Sequence, residues 1–112
     1  MTNFNRGNVV TVDLGAAAKV RPCVVVSIPR PDSQRNMSVV VPMTTEKRGG
    51  ECEVSFPKPP WLSAESVVNV LGVAGVDNAK ILRRLAPFPP VPFEEICHKL
   101  AHTLGIESRH LA

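Results

Sequence analysis

Apolar residues in this chain come in short runs broken by turn formers, the signature of a protein built mainly from short strands. Residues 8–14 alternate weakly and stop at Gly15, which predicts a first strand; residues 16–19 then form a short connection. Residues 22–28 (Pro-Cys-Val-Val-Val-Ser-Ile) predict a second strand, with Pro22 at its start, where a missing N–H is tolerated. Pro29-Arg30-Pro31-Asp32-Ser33 reads as a loop, because proline and aspartate pre-set turn geometry. Residues 37–43 predict a third strand. Arg48-Gly49-Gly50 turns the chain, and residues 51–56 alternate at period two, as a half-exposed fourth strand does.

Pro57-Lys58-Pro59-Pro60-Trp61 interrupts the pattern. Residues 66–71 predict a fifth strand, which residues 72–76 bend or continue. Asp77 is placed to cap a short helix over 78–85, with Lys80, Arg83 and Arg84 towards its end. Four prolines in 86–92 make a stiff connector, although a P-x-x-P ligand reading exists. Phe93, Ile96, Cys97, Leu100, Ala101 and Leu104 recur at helical spacing; Glu94 and Glu95 are expected in the first turn, and Gly105 ends the helix. Five or so short strands, a minor helix and a C-terminal amphipathic helix, without βαβ alternation, point to a small, partly open β-barrel.

At 112 residues the expectation is one domain spanning 1–112. A hydrophobic fraction of 44% with 21% charged residues fits a soluble globular protein, and a net charge of +3 permits a nucleic-acid or acidic partner without requiring one. Three widely spaced cysteines with no C-x-x-C argue against a disulfide framework and for a reducing cytoplasm. No apolar stretch approaches a membrane span and residues 1–7 carry no signal-peptide core, so membrane attachment is not expected.

The chemistry concentrates at strand ends. Valine-rich runs read as strands buried on both faces, which displaces polar groups to their ends. Arg21 precedes one run, and Thr44 and Thr45 follow the other. An arginine with two hydroxyls suits a phosphodiester: guanidinium offers a planar fork that keeps its charge, and threonine a small donor. The same residues also fit a surface arginine leading into a strand and two β-formers at a strand exit. Lys47 and Arg48, beside the glycine turn, fit either a phosphate contact or a solvated loop, and so does Lys19. Trp61, the only tryptophan in a chain without tyrosine, either stacks on a base or packs on the barrel. His98 and His102 share a helix face at a zinc-compatible spacing, but two ligands without a third nearby do not make a site, and no metal is expected.

Together these segments resemble the MazF/PemK family of toxin endoribonucleases. Arg6-Gly7-Asn8-Val9-Val10-Thr11-Val12-Asp13-Leu14 resembles that family's opening R-G-D-V-x-x-(V/A)-D-L, and Arg21-Pro22 with Val24-Val25-Val26-Ser27 its R-P-x-x-V-x-S. Val41-Pro42-Met43-Thr44-Thr45 resembles V-P-x-T-(T/S); Ser66-Val67-Val68 with Val76-Asp77 and Ile81-Leu82 resembles the later S-V-x…V-D-x-x-x-(L/I); residues 100–106 resemble the last helix's L-G-(L/I) ending. The resemblance implies an SH3-like barrel of the CcdB/PemK type with about five to seven short strands. It also implies a homodimer that cuts single-stranded RNA without cofactor or metal, leaving a cyclic phosphate and a 5′-hydroxyl, and a cognate antitoxin that blocks it. Carried over, Arg21 and Thr44 are the catalytic pair, with Lys19, Thr45, Lys47 and Arg48 as RNA contacts. Three departures stand out: the loop at 15–20 is short and lacks the family's S-E-Q-x-G stretch, Asn8 replaces an acid, and residues 71–75 are apolar and glycine-rich where polar and basic residues are usual.

A related reading is a CcdB-like toxin that uses the same barrel to bind a protein target such as DNA gyrase. That family resembles this chain in fold but relies on an aromatic C-terminal end, whereas this chain finishes Glu107-Ser108-Arg109-His110-Leu111-Ala112. A catalytically weakened barrel that acts by binding is the third reading, supported by the apolar 71–75 segment.

Overall fold

The valine runs form the centre of an antiparallel sheet in the computed structural model, which describes residues 4–15, 19–30 and 35–111. The expected connection at Ala16, Ala17 and Ala18 and the turn residues Pro31, Asp32 and Ser33 lie outside the described residues. The strands are β1 (Asn8–Asp13), β2 (Val20–Val25), β3 (Met37–Thr44), β4 (Glu53–Val54), β5 (Val67–Asn69), β6 (Ala74–Asp77) and β7 (Ile81–Pro87), followed by helix α1 (Pro90–Thr103). They hydrogen-bond in the order β4-β5-β3-β2-β1-β7, with β6 also paired to β3. The molecule is thus mainly β with one C-terminal helix, as expected, and β4 and β7 leave the sheet open.

Period-two alternation divides the buried valines between two cores. Val9, Val24 and Val41 face one cluster with Val54, Val68, Phe88, Phe93 and Ile96, the last two brought by α1. Val10, Val12, Cys23, Val25 and Val40 face the other with Ile81. The central strands are therefore buried on both faces, as their composition predicts.

The second cluster lies inside a curl. β6 and β7 bound the run β6-β3-β2-β1-β7, and in a flat sheet edges four strands apart would be about 19 Å from each other. Yet Asp77 at the end of β6 and Ile81 at the start of β7 are four residues apart in sequence, at most about 15 Å of chain. The sheet bends to satisfy both.

That short link is where the expected helix fails. Asp77 does cap a turn, accepting the Ala79 N–H at 2.9 Å, but the turn is a single 3₁₀ turn, Asn78–Lys80. From Ile81 the chain is strand β7, paired with β1 through Ile81–Val12, Arg83–Thr11 and Arg84–Val10. Ile81 and Leu85 fit helical and strand spacing equally; the open edge of β1 decides, because pairing satisfies backbone groups of both strands. Arg83 and Arg84 are consequently exposed on a strand, not in a last helical turn. Other differences are smaller. Strand β4 keeps only two residues of the expected six. Strand β5 gives way after Asn69 to a 3₁₀ turn over Val70–Gly72, and the following residues form a separate strand. Pro90 starts α1, so Glu94 and Glu95 lie beyond its first turn.

Candidate active site

Arg21 and Thr44 meet because of strand register. Strands β2 and β3 pair as Cys23–Pro42, Val24–Val41 and Val25–Val40, and two more steps along that register bring Arg21 opposite Thr44. The ladder itself stops at Cys23. Val26 donates its N–H to Val39 at 2.9 Å, so alternate residues of β2 point their backbone groups towards β3. Pro22 is one of these and has no N–H to give. Past that point a cleft of about 180 Å³ opens, lined by Arg21, Pro22, Met43, Thr44, Thr45, Leu62, Ser63 and Ser66. Arg21 lies within β2 rather than before it and remains paired to Val12 of β1, with an exposed side chain.

Thr44 ends β3 half-buried, and its Oγ1 accepts the Glu46 N–H at 3.1 Å. A hydroxyl that accepts one bond keeps its proton to donate, so this contact orients Thr44 without using up its donor. Thr44 also lines a second cleft of about 380 Å³ with Glu46, Arg48, Gly50, Glu53, Asn69 and Leu71 among its walls. One surface therefore runs from Arg21 past Thr44 to Arg48. Lys19 and Lys47 line neither cleft. Lys19 stands exposed just before β2 with φ at +60°, and its N–H donates to the Gly15 carbonyl at 2.9 Å.

Two residues here escaped sequence reading. Glu53 holds the turn after Thr44: its two carboxylate oxygens accept the N–H groups of Arg48 and Gly49, each at 2.8 Å. The Arg48 N–H above all, then that of Gly49 and the charges of Lys47 and Arg48, hold the Glu53 carboxyl below its ordinary value. Glu46 makes a loose ion pair with Arg48 at 3.8 Å, both largely in solvent and the pair of little energetic weight. The signal for Glu53 was an acid just beyond a glycine turn, which its place in an alternating strand concealed. Cys23, behind Arg21, is inert: burial pushes its thiol up to about 12, against the opposing pull of Arg21.

Within the apolar 71–75 segment, packing accounts for Gly72 but not for Leu71, which is exposed. A Cβ on Gly72 would lie 2.6 Å from Cγ of Pro42, so the 3₁₀ turn presses on β3 where only glycine fits. Gly75 pairs with Val39 of β3, and a Cβ there would meet Met37 at 3.7 Å, an ordinary contact. Among the described residues no group of three or more histidine, cysteine or acidic side chains could hold a metal ion. No helix among them is long and apolar enough to cross a membrane.

An open, curled antiparallel sheet with one C-terminal helix and an arginine–threonine cleft at its strand ends defines a class of small mainly-β proteins. The family model of the PemK-like, MazF-like toxins of type II toxin–antitoxin systems matches residues 5–104. The chain belongs to that family, and it is the toxin component of such a system. Among solved structures, similar folds include an endoribonuclease in complex with its cognate antitoxin from a mycobacterial species, 24% identical, with a TM-score of 0.78 over 93% of this chain and 97% of that one. One MazE–MazF structure from Deinococcus radiodurans is 22% identical, with a TM-score of 0.79 over 96% of this chain and 100% of that one. The Mycobacterium tuberculosis toxin MazF-mt6 is 16% identical, with a TM-score of 0.67 over 89% and 98%. At these identities the likeness is one of fold. Curated proteins yield no match.

Proposed function

We propose that this toxin is an endoribonuclease that cuts single-stranded RNA sequence-specifically at the Arg21–Thr44 cleft, with neither metal nor cofactor. The observation that carries the reading is the convergence of Arg21, Thr44 and Thr45 on one cleft at the end of the β2–β3 ladder. Family membership supports the same chemistry.

In the proposed reaction the ribose 2′-oxygen attacks the adjacent phosphorus and the 5′-oxygen departs. This leaves a cyclic 2′,3′-phosphate on one fragment and a 5′-hydroxyl on the other. The phosphorane between them carries extra negative charge, and Arg21 supplies a fixed cation where that charge develops. Guanidinium hardly ever deprotonates, so Arg21 stabilises charge and donates; it is not the base. Thr44, oriented by the Glu46 N–H, donates to a phosphate oxygen. Thr45 in the same cleft and Arg48 in the adjoining one extend the backbone contact, with Lys19 and Lys47 as more distant charges.

The curled sheet is proposed to be an SH3-like barrel, the chain a single domain, and the working form a cytoplasmic homodimer. Met37 and Val39 favour the dimer: both are exposed apolar residues on β3, beside β6, which is paired on one edge only. The expected inhibitor is a cognate antitoxin, as in the complex of the mycobacterial endoribonuclease. The gyrase-binding reading is not carried forward, because the matched family is that of PemK-like, MazF-like toxins.

The test is digestion of long single-stranded RNA by the purified protein in the presence of a chelator, with both new ends analysed chemically. Discrete cuts bearing cyclic phosphate and 5′-hydroxyl ends are expected. RNA left intact by a folded protein, or cuts bearing 5′-phosphate, would overturn the reading.

A further inference from the structure

Met43 and Leu62 line the Arg21–Thr44 cleft and also a second, apolar one of about 330 Å³, so the two adjoin. The second cleft is built from Phe56, Pro59, Trp61 and Phe88, and its size is at the small end of ligand pockets. Phe56 and Phe88 form one wall, with ring centroids 4.9 Å apart and planes tilted by 53°. Trp61 is half exposed rather than packed away. It lies in a backbone turn closed by the Leu62 N–H, which donates to the Pro59 carbonyl at 3.1 Å, and a second turn follows in which the Ser66 N–H donates to Ser63 at 3.1 Å. Lys58 lines the same cleft, with its Nζ 4.9 Å from the Phe56 ring centroid.

We propose that this cleft seats a nucleobase flanking the scissile phosphate, stacked against Trp61, with Lys58 meeting the neighbouring phosphate. The inference rests on the ribonuclease reading above and adds a subsite to it. A planar, apolar ligand suits walls of aromatic and proline faces, and aromatic stacking accepts any base because every base has a π-face. The cleft shares Met43 and Leu62 with the one assigned to the phosphate, so an RNA chain held by Arg21 and Thr44 brings a flanking base within reach of it. A cation in an otherwise apolar cleft matches a base tethered to phosphate better than an apolar peptide. The subsite therefore distinguishes a base from its absence strongly, and one base from another by size more than by edge pattern.

Trp61 is the only tryptophan and there is no tyrosine, so intrinsic emission reports on this cleft alone. The probe is a 2′-O-methyl RNA spanning a mapped cut, which lacks a free attacking oxygen and stays whole. Emission should change in step with binding followed by anisotropy, and the change should vanish when the flanking nucleotide is made abasic. In cleavage of ordinary RNA, Trp61→Leu should raise KM roughly tenfold and leave kcat alone, and Trp61→Phe should restore most of the loss. RNA that binds and is cut while Trp61 emission stays constant, or a Trp61→Leu variant with wild-type KM, would overturn the subsite and leave the ribonuclease standing. Emission that shifts with protein concentration alone would assign the cleft to a second copy of the chain and overturn it too. A folded protein that neither binds nor cuts RNA would overturn both.

Discussion

Thr44 illustrates how one side chain can serve structure and chemistry together. Its oxygen accepts the Glu46 N–H, which fixes the hydroxyl at the mouth of the cleft, while its proton remains available for a phosphate oxygen. Thr44→Val keeps the β-branched shape and removes both functions. A hydrogen bond to a charged group is worth about 1.5–3 kcal/mol, so kcat should drop roughly ten- to a hundredfold with the melting temperature little changed. Single-turnover cleavage beside a thermal melt checks this. At this scale the sequence was readable for Arg21, Thr44 and Thr45, because their positions at the ends of valine runs bring them to one place. It was silent on Glu53 and Gly72. The importance of each depends on a partner distant in sequence or reached through backbone: two N–H groups for Glu53, the ring of Pro42 for Gly72.

Those two residues govern elements. Glu53 pins the turn after β3 by two backbone bonds, and its folded carboxyl lies below the ordinary value of 4.5. At intermediate pH the unfolded chain therefore binds more protons, and the stabilisation is complete above about 4.5 and lost as pH falls through the lowered folded value. The amide resonances of Arg48 and Gly49 should titrate together with a midpoint below 4.5, and Glu53→Gln should abolish that titration. A midpoint at or above the ordinary value would contradict the pinning. Gly72→Ala is the packing counterpart. A new methyl 2.6 Å from a proline ring tied to β3 cannot be relieved by rotamer change, so the turn or the strand must move. A loss of about 1–3 kcal/mol in denaturant unfolding is expected, against a negligible change at Gly50, where a Cβ would meet nothing within 4 Å. The expected helix over 78–85 failed at this same scale. Its cap and spacing were real, but a sequence window holds no record of the open β1 edge that claims residues 81–87.

Across the whole molecule, two cores share β1, β2 and β3, and the site lies where β2 and β3 part. Alternation along the valine runs announced burial on both faces, so the central sheet and α1 were legible. The curl was not, since it depends on β6 pairing with β3 while β7 pairs with β1. Helix α1 anchors the first core through Phe93 and Ile96, the latter fully buried. Ile96→Ala should cost about 2–5 kcal/mol of unfolding free energy, measured in denaturant, because the sheet cannot collapse into the space left. If the cores act as one cooperative unit, cleavage by that variant should disappear in step with its unfolding rather than before it.

The central claim is that Arg21 and Thr44 form one RNA-cleaving site. The most direct test is single-turnover cleavage of a mapped RNA by Arg21→Ala, with wild-type protein alongside and the fold of both verified by circular dichroism. Removing one preorganised donor to a developing anion costs about a hundred- to a thousandfold in rate, and the account predicts a loss of at least that size with the same cut position in whatever activity remains. A folded Arg21→Ala protein that cuts the same RNA at the wild-type rate would contradict it and move the chemistry elsewhere on the molecule.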